Sequence, residues 1–147
     1  PVDLLRERLH RGDLCVAAHD AQGLAGFAWY RLRGDYDEQG MLFRVRPGEA
    51  WAYDLVVAER RQGQGLSAAI VAAGAEMLDA DGVGRSVAAI DVVNAPALRG
   101  ARSRGARELG RVAMLRAGAL SVRREAWEGA PVRWSVCRGD RPARGPG

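Results

Sequence analysis

The chain has 147 residues, 48% of them hydrophobic and 27% charged, enough for one folded domain with a sizeable core. No apolar run approaches the roughly 20 residues that span a bilayer, and the start is not a charged-then-apolar signal peptide. A cytoplasmic protein with no membrane partner is therefore expected. The net charge is +4 and all the basic side chains are arginine; Cys15, Cys137, His10 and His19 lack metal-binding spacing, and the cysteines are expected to be reduced.

Val2, Leu5 and Leu9 recur at helical spacing and Gly12 supplies a stop, which predicts a short amphipathic helix. Residues 13–19 and 26–32 are apolar segments around the turn-forming residues 20–23, a hairpin pattern. Residues 33–40 are polar and expected to be flexible, and 41–45 read as a further strand or an extension of the hairpin. Pro47-Gly48 then breaks the chain. Strict alternation over residues 50–57 would put Trp51, Tyr53, Leu55 and Val57 on one face and Ala52, Asp54 and Val56 on the other.

That strand runs through a short charged turn into a helix with apolar residues at Leu66, Ile70, Ala73 and Met77, ending near Asp81-Gly82. Residues 86–93 read as a strand parallel to the first, because an apolar strand between helices is buried on both faces. Pro96 fits the first turn of another helix and Gly105 its end. Weaker strands are expected at 112–115 and 120–122 and a stronger one at 132–137, with Trp134. The Pro/Gly-rich tail 138–147 is expected to be disordered, leaving one domain over residues 1–137.

The chemistry-bearing stretch is the strand, turn and helix start of residues 53–67. Gly63 and Gly65 leave the turn without side chains, and the first turn of the helix has unpaired N–H groups at the positive end of the helix dipole. Together these make a phosphate site. A P-loop would need a lysine, and a dinucleotide fingerprint would need a glycine where Ala68 stands and an acid where Arg85 stands.

Val57, Glu59, Gln62, Gly65 and Ser67 resemble the acyl-CoA loop of the GNAT acetyltransferase superfamily, with Glu for a usual Pro and Ser for a small residue; Arg60, Gly63 and Gly65 match it in a second register. Residues 90–98, with Asn94 at the strand end, and Gly105 eleven places on resemble the family's next strand and helix. The resemblance implies an α/β fold with a mostly antiparallel central sheet, a splayed parallel strand pair and flanking helices. It also implies transfer of an acetyl group from acetyl-CoA to an amine of a small molecule or protein. The family's first strand and helix have no counterpart, so a trimmed, divergent or incomplete amino-terminal part is expected.

By motif position the resemblance puts the pantetheine arm against Leu55, Val56 and Val57, with Asn94 as a further contact or a helix cap. The pyrophosphate falls on Gln62, Gly63, Gln64, Gly65, Leu66 and Ser67. Candidates for collecting the amine proton are Asp54, whose charge interrupts an apolar run, and Glu49. Tyr53 is a candidate donor to the leaving thiolate, since Ala101 occupies the position where the family often carries a tyrosine acid, and Ala106 replaces an aromatic. An acyl-CoA-binding module without turnover is the alternative. Eight arginines between 99 and 124 would suit an acidic acceptor or the 3′-phosphate of CoA, and nucleic acid less well for want of a basic-aromatic motif. A homo-oligomer is compatible with all of these readings.

Overall fold

The computed structural model describes residues 2–38, 41–117, 120–129 and 133–138; the expected tail beyond Arg138 lies outside them. The chain divides into two compact units, one ending at Arg104 and the other beginning at Gly105.

The first unit opens with helix α1 (Val2–His10), followed by the hairpin β1 (Leu14–Asp20) and β2 (Gly23–Arg31). The turn forms where Asp20 Oδ1 accepts the Gln22 N–H at 2.8 Å. Then come the short hairpin β3 (Asp35–Glu38) and β4 (Met41–Arg44), the long strand β5 (Glu49–Val57), a 3₁₀ turn at Glu59–Arg61, helix α2 (Leu66–Ala80), the short strand β6 (Arg85–Val87) and helix α3 (Ala95–Ser103). The sheet order is β1-β2-β5-β6, antiparallel except for the β5–β6 pair. The segment expected to be flexible thus contains β3, whose Tyr36 pairs with Phe43 of β4. Both side chains stack on Trp51, which holds this polar stretch in place.

One face of the sheet is aliphatic and carries α2: Val16, Ala28, Tyr30 and Ala50 pack with Ile70 and Leu78. The buried stripe of α2 is Ile70, Gly74 and Leu78, whereas Met77, expected in the stripe, is 44% exposed. Gly74 is required by contact, since a Cβ there would fall 2.3 Å from the Tyr30 hydroxyl. The opposite face is aromatic, built on Trp29, Trp51 and Tyr53 with Phe27, Tyr36 and Phe43 around them.

The alternation expected along β5 fails at Asp54. Opposite β2 the register advances two residues from Phe27 to Trp29 while β5 advances three from Val56 to Tyr53, which is a β-bulge. Asp54 itself has φ 49°, the left-handed region that aspartate tolerates better than branched residues. The extra residue reverses the faces beyond it. Trp51 and Tyr53 lie on the aromatic side, but Val57 joins Ala50 and Ala52 against the aliphatic core.

The parallel partner β6 is shorter than expected. The strand expected over 86–93 pairs with β5 only at Arg85, Ser86 and Val87, after which the chain leaves the sheet. Val92 and Val93 are 72% and 82% exposed, and Asp91 Oδ1 accepts the Val93 N–H in a local turn. The two parallel strands therefore splay apart beyond Trp51.

The second unit is an antiparallel meander of β7 (Gly110–Ala117) and β8 (Leu120–Trp127), where the weaker strands were expected, and β9 (Arg133–Arg138), where the stronger one was. Among the described residues no helix is long and apolar enough to cross a membrane, and no group of three or more His, Cys, Asp and Glu side chains is placed to hold a metal.

Candidate active site

The turn after β5 is built from internal contacts. The Gln62 side chain donates to the Val57 carbonyl at 3.2 Å and that of Gln64 to the Arg60 carbonyl at 2.8 Å. Asp20, at the β1–β2 turn, accepts from Arg61 Nε at 2.8 Å and from Arg60 Nη2 at 3.2 Å. Arg60 also bonds the Leu24 carbonyl, and Ala58 donates to the Ala25 carbonyl, so the turn is strapped to the hairpin. The Arg61 bond, then the Gln22 N–H and Arg60, pull the Asp20 pKa down to about 2. Both arginines that precede the turn are thus committed to a carboxylate.

Gly63 and Gly65 have φ of 73° and 79°, which bends the chain sharply into α2. Gly65 is the N-cap, with no side-chain cap bond and no acidic residue in the first turn. The N–H groups of Gly63, Gln64, Gly65, Leu66 and Ser67 have no acceptor among the described residues. That of Gln62, expected to be free as well, is taken by the Glu59 carbonyl at 3.1 Å. Five unpaired donors without an acidic residue in the first turn of α2 have the chemistry that suits an anion. Of the strand residues named with them, Leu55 and Val56 are 42% and 47% exposed and Val57 is half-buried. Asn94 caps α3, its Oδ1 accepting from Ala97 N–H at 3.2 Å.

The structure brings together a second group that the sequence did not single out. Asp13 is buried, and its carboxylate accepts from Arg31 Nε at 3.0 Å, Arg31 Nη2 at 3.1 Å and the Tyr53 hydroxyl at 2.7 Å. Burial, then the bond to Asp13 and its charge, push the Tyr53 pKa far above the ordinary tyrosine value, so the phenol keeps its proton and donates a hydrogen bond to Asp13. Burial works against the Arg31 charge, but Asp13 overrides it and the net shift is upward. The sequence signal was slight: an aspartate between the stop of α1 and an apolar strand.

Asp54, on the bulge, pairs with Arg8 of α1, Nη2 to Oδ2 at 2.7 Å, and its side chain is 46% exposed. The apolar setting that singled out Asp54 is therefore absent, because the bulge turns it toward solvent and Arg8. The Arg8 guanidinium lies 5.3 Å from the Trp29 ring centre and 4.8 Å from that of Tyr53. Glu49, at the start of β5, is paired with Arg85 of β6. In the arginine-rich stretch, Arg107 pairs with Glu128 and Arg111 with Glu108; on β8, Arg123 pairs with Glu125.

A splayed parallel pair followed by a glycine turn and helix is the arrangement the sequence motifs implied, and the acetyltransferase (GNAT) family model matches residues 1–106. The chain belongs to the GNAT acetyltransferase family. Its fold is similar to that of a Trypanosoma brucei acetyltransferase, at 18% identity over 79% of this chain and 77% of that one, TM-score 0.59. An aminoglycoside acetyltransferase from an uncultured soil metagenomic sample, in complex with trehalose, is 20% identical over 80% and 73%, TM-score 0.61. An aminoglycoside N-acetyltransferase in complex with CoA is 18% identical over 79% and 90%, TM-score 0.59. At these identities the structural likeness speaks for the fold. No curated protein gives a sequence match.

Proposed function

We propose that the chain is an N-acyltransferase that moves an acetyl group from acetyl-CoA to an amine. The observation that carries this reading is the run of five unpaired N–H groups at Gly63 to Ser67, next to the part of β5 that has parted from β6. Those N–H groups would take the CoA pyrophosphate, and the opened edge at Leu55, Val56 and Val57 the pantetheine arm, with Asn94 on the facing side. Backbone donors held rigidly near the thioester oxygen would stabilise the charge that builds there as the amine attacks.

Asp54 is the proton acceptor in this reading. It is exposed at the point where β5 turns, whereas Glu49 is held by Arg85, and the Tyr53 hydroxyl is engaged in donating a hydrogen bond to Asp13. The attacking nitrogen loses a proton, a C–N bond forms, the C–S bond breaks and the thiolate leaves. With Ala101 in α3 and Tyr53 engaged, neither supplies a proton to the thiolate, which with a pKa near ~8.5 leaves unaided at some cost in rate. That feature also favours the second reading, an acyl-CoA-binding module without turnover. The names of the neighbours span aminoglycosides and a ribosomal-protein alanine, so they do not narrow the acceptor.

Calorimetric titration with acetyl-CoA and CoA tests the reading, using Gly65→Glu and Gly65→Asn. Asparagine tolerates the left-handed conformation, so it should keep binding, while a carboxylate beside the phosphates should abolish it. An intact protein that binds neither ligand would end both readings. Binding without thiol release for any amine would leave only the second.

A further inference from the structure

We propose that Arg8 anchors a carboxylate on the acceptor, so that the substrate is an amino acid-like zwitterion whose amine reaches Asp54. The inference rests on the acyltransfer reading and names its second substrate class.

Two arginines lie against the same aromatic cluster, and they differ. Arg31 is bonded at all three nitrogens: Nε and Nη2 bond both oxygens of Asp13, and Nη1 bonds the Asp35 carbonyl at 2.7 Å. Arg8 is held at one nitrogen, by Asp54. A guanidinium has five N–H donors, and those remaining on Arg8 have no acceptor among the described residues. They are not sealed in either, because no Arg8 atom is among the enclosed polar atoms that lack a hydrogen bond in the described residues. The side chain is nonetheless only 12% exposed, on a helix with no buried residue, so it is held in place while still open to a ligand. Contact with Trp29 and Tyr53 fixes the guanidinium, and its planar fork matches a carboxylate in two parallel bonds.

The charge balance argues for both signs on one molecule. A simple alkylammonium taken by Asp54 would strip Arg8 of its one partner in aromatic surroundings, where a lone charge is costly. A zwitterion replaces both halves of the ion pair, its carboxylate on Arg8 and its ammonium on Asp54. The ammonium then passes one proton to Asp54 and a second to solvent water as the nitrogen forms a C–N bond to the acetyl carbon and the C–S bond breaks. CoA leaves as thiolate, and the carboxylate on Arg8 is unchanged.

The test uses ω-amino acids from 4-aminobutyrate to 6-aminohexanoate, each against its carboxamide, titrated into the CoA-saturated protein; the pairs differ little in amine basicity. At least one acid should bind about tenfold or more tighter than its amide, the scale of a charge-assisted pair. Arg8→Gln should bring acid and amide within about twofold while acetyl-CoA binding is retained, and Arg8→Lys should keep an intermediate preference. Melting curves of both variants establish that they fold, and Arg8→Lys carries the test if Arg8→Gln does not. Acids and amides that bind alike, no binding of either by protein that binds acetyl-CoA, or a preference that survives Arg8→Gln would each overturn the inference and leave the acyltransfer reading standing. Failure to bind acetyl-CoA would instead remove that reading.

Discussion

The two halves of β5 have opposite characters, although both come from one apolar stretch. From Glu49 to Tyr53 the strand is paired on both edges at its start, and Ala50, Trp51 and Tyr53 are at most 7% exposed. From Asp54 to Val57 it has lost β6, and three successive residues are exposed. The inner half stabilises the fold, while the outer half gives up pairing and burial to leave a backbone edge open. The bulge at Asp54 separates the two, and substitutions on either side of it should behave differently.

The largest effect is expected from Trp51→Ala, which empties the space between Phe43 and Tyr36 and should cost about 3 to 5 kcal/mol in chemical denaturation. Leu55→Ala, four residues on, should stay within about 0.5 kcal/mol while weakening acetyl-CoA binding. Equal losses would erase the distinction between the halves. Asp13→Asn comes next, at about 3 kcal/mol, because it leaves Arg31 and Tyr53 on a neutral partner in a buried site.

At the bulge both Asp54→Gly and Asp54→Val leave Arg8 without its partner, and the valine variant should be the less stable of the two by about 1 to 2 kcal/mol because a branched residue resists positive φ. Both should lose turnover, and the contrast in melting temperature separates backbone strain from loss of the carboxylate. Tyr53→Phe is the smallest, at about 1 kcal/mol near neutral pH. Its effect is clearest in alkali. The folded pKa of Tyr53 is raised, so its contribution is complete below the unfolded value near ~10 and fades as pH rises through the folded one. The stability of the intact protein should therefore fall above about pH 10, and more shallowly in Tyr53→Phe, with Tyr30 contributing the remaining slope in the same direction. An unchanged slope would mean that the Tyr53 pKa is not raised in the folded protein.

Local signals were sufficient wherever a neighbour in sequence decides the outcome. Gly12 after α1, the 20–23 turn, the glycines at 63 and 65 and Asn94 before Pro96 each act within a few residues, so the first hairpin, the glycine turn into α2 and the cap of α3 were legible from the chain. Three things were decided by tertiary structure. The bulge arises because β5 must match β2 at both ends, and a single inserted residue moves Val57 to the aliphatic face. The strand expected over 86–93 stops at Val87, since apolar composition does not say where a partner edge ends. Arg8, Asp13, Arg31 and Tyr53 meet across as many as 45 positions of sequence. Charges so far apart find each other only once the hairpin and α1 have packed, so no spacing in the chain could announce them.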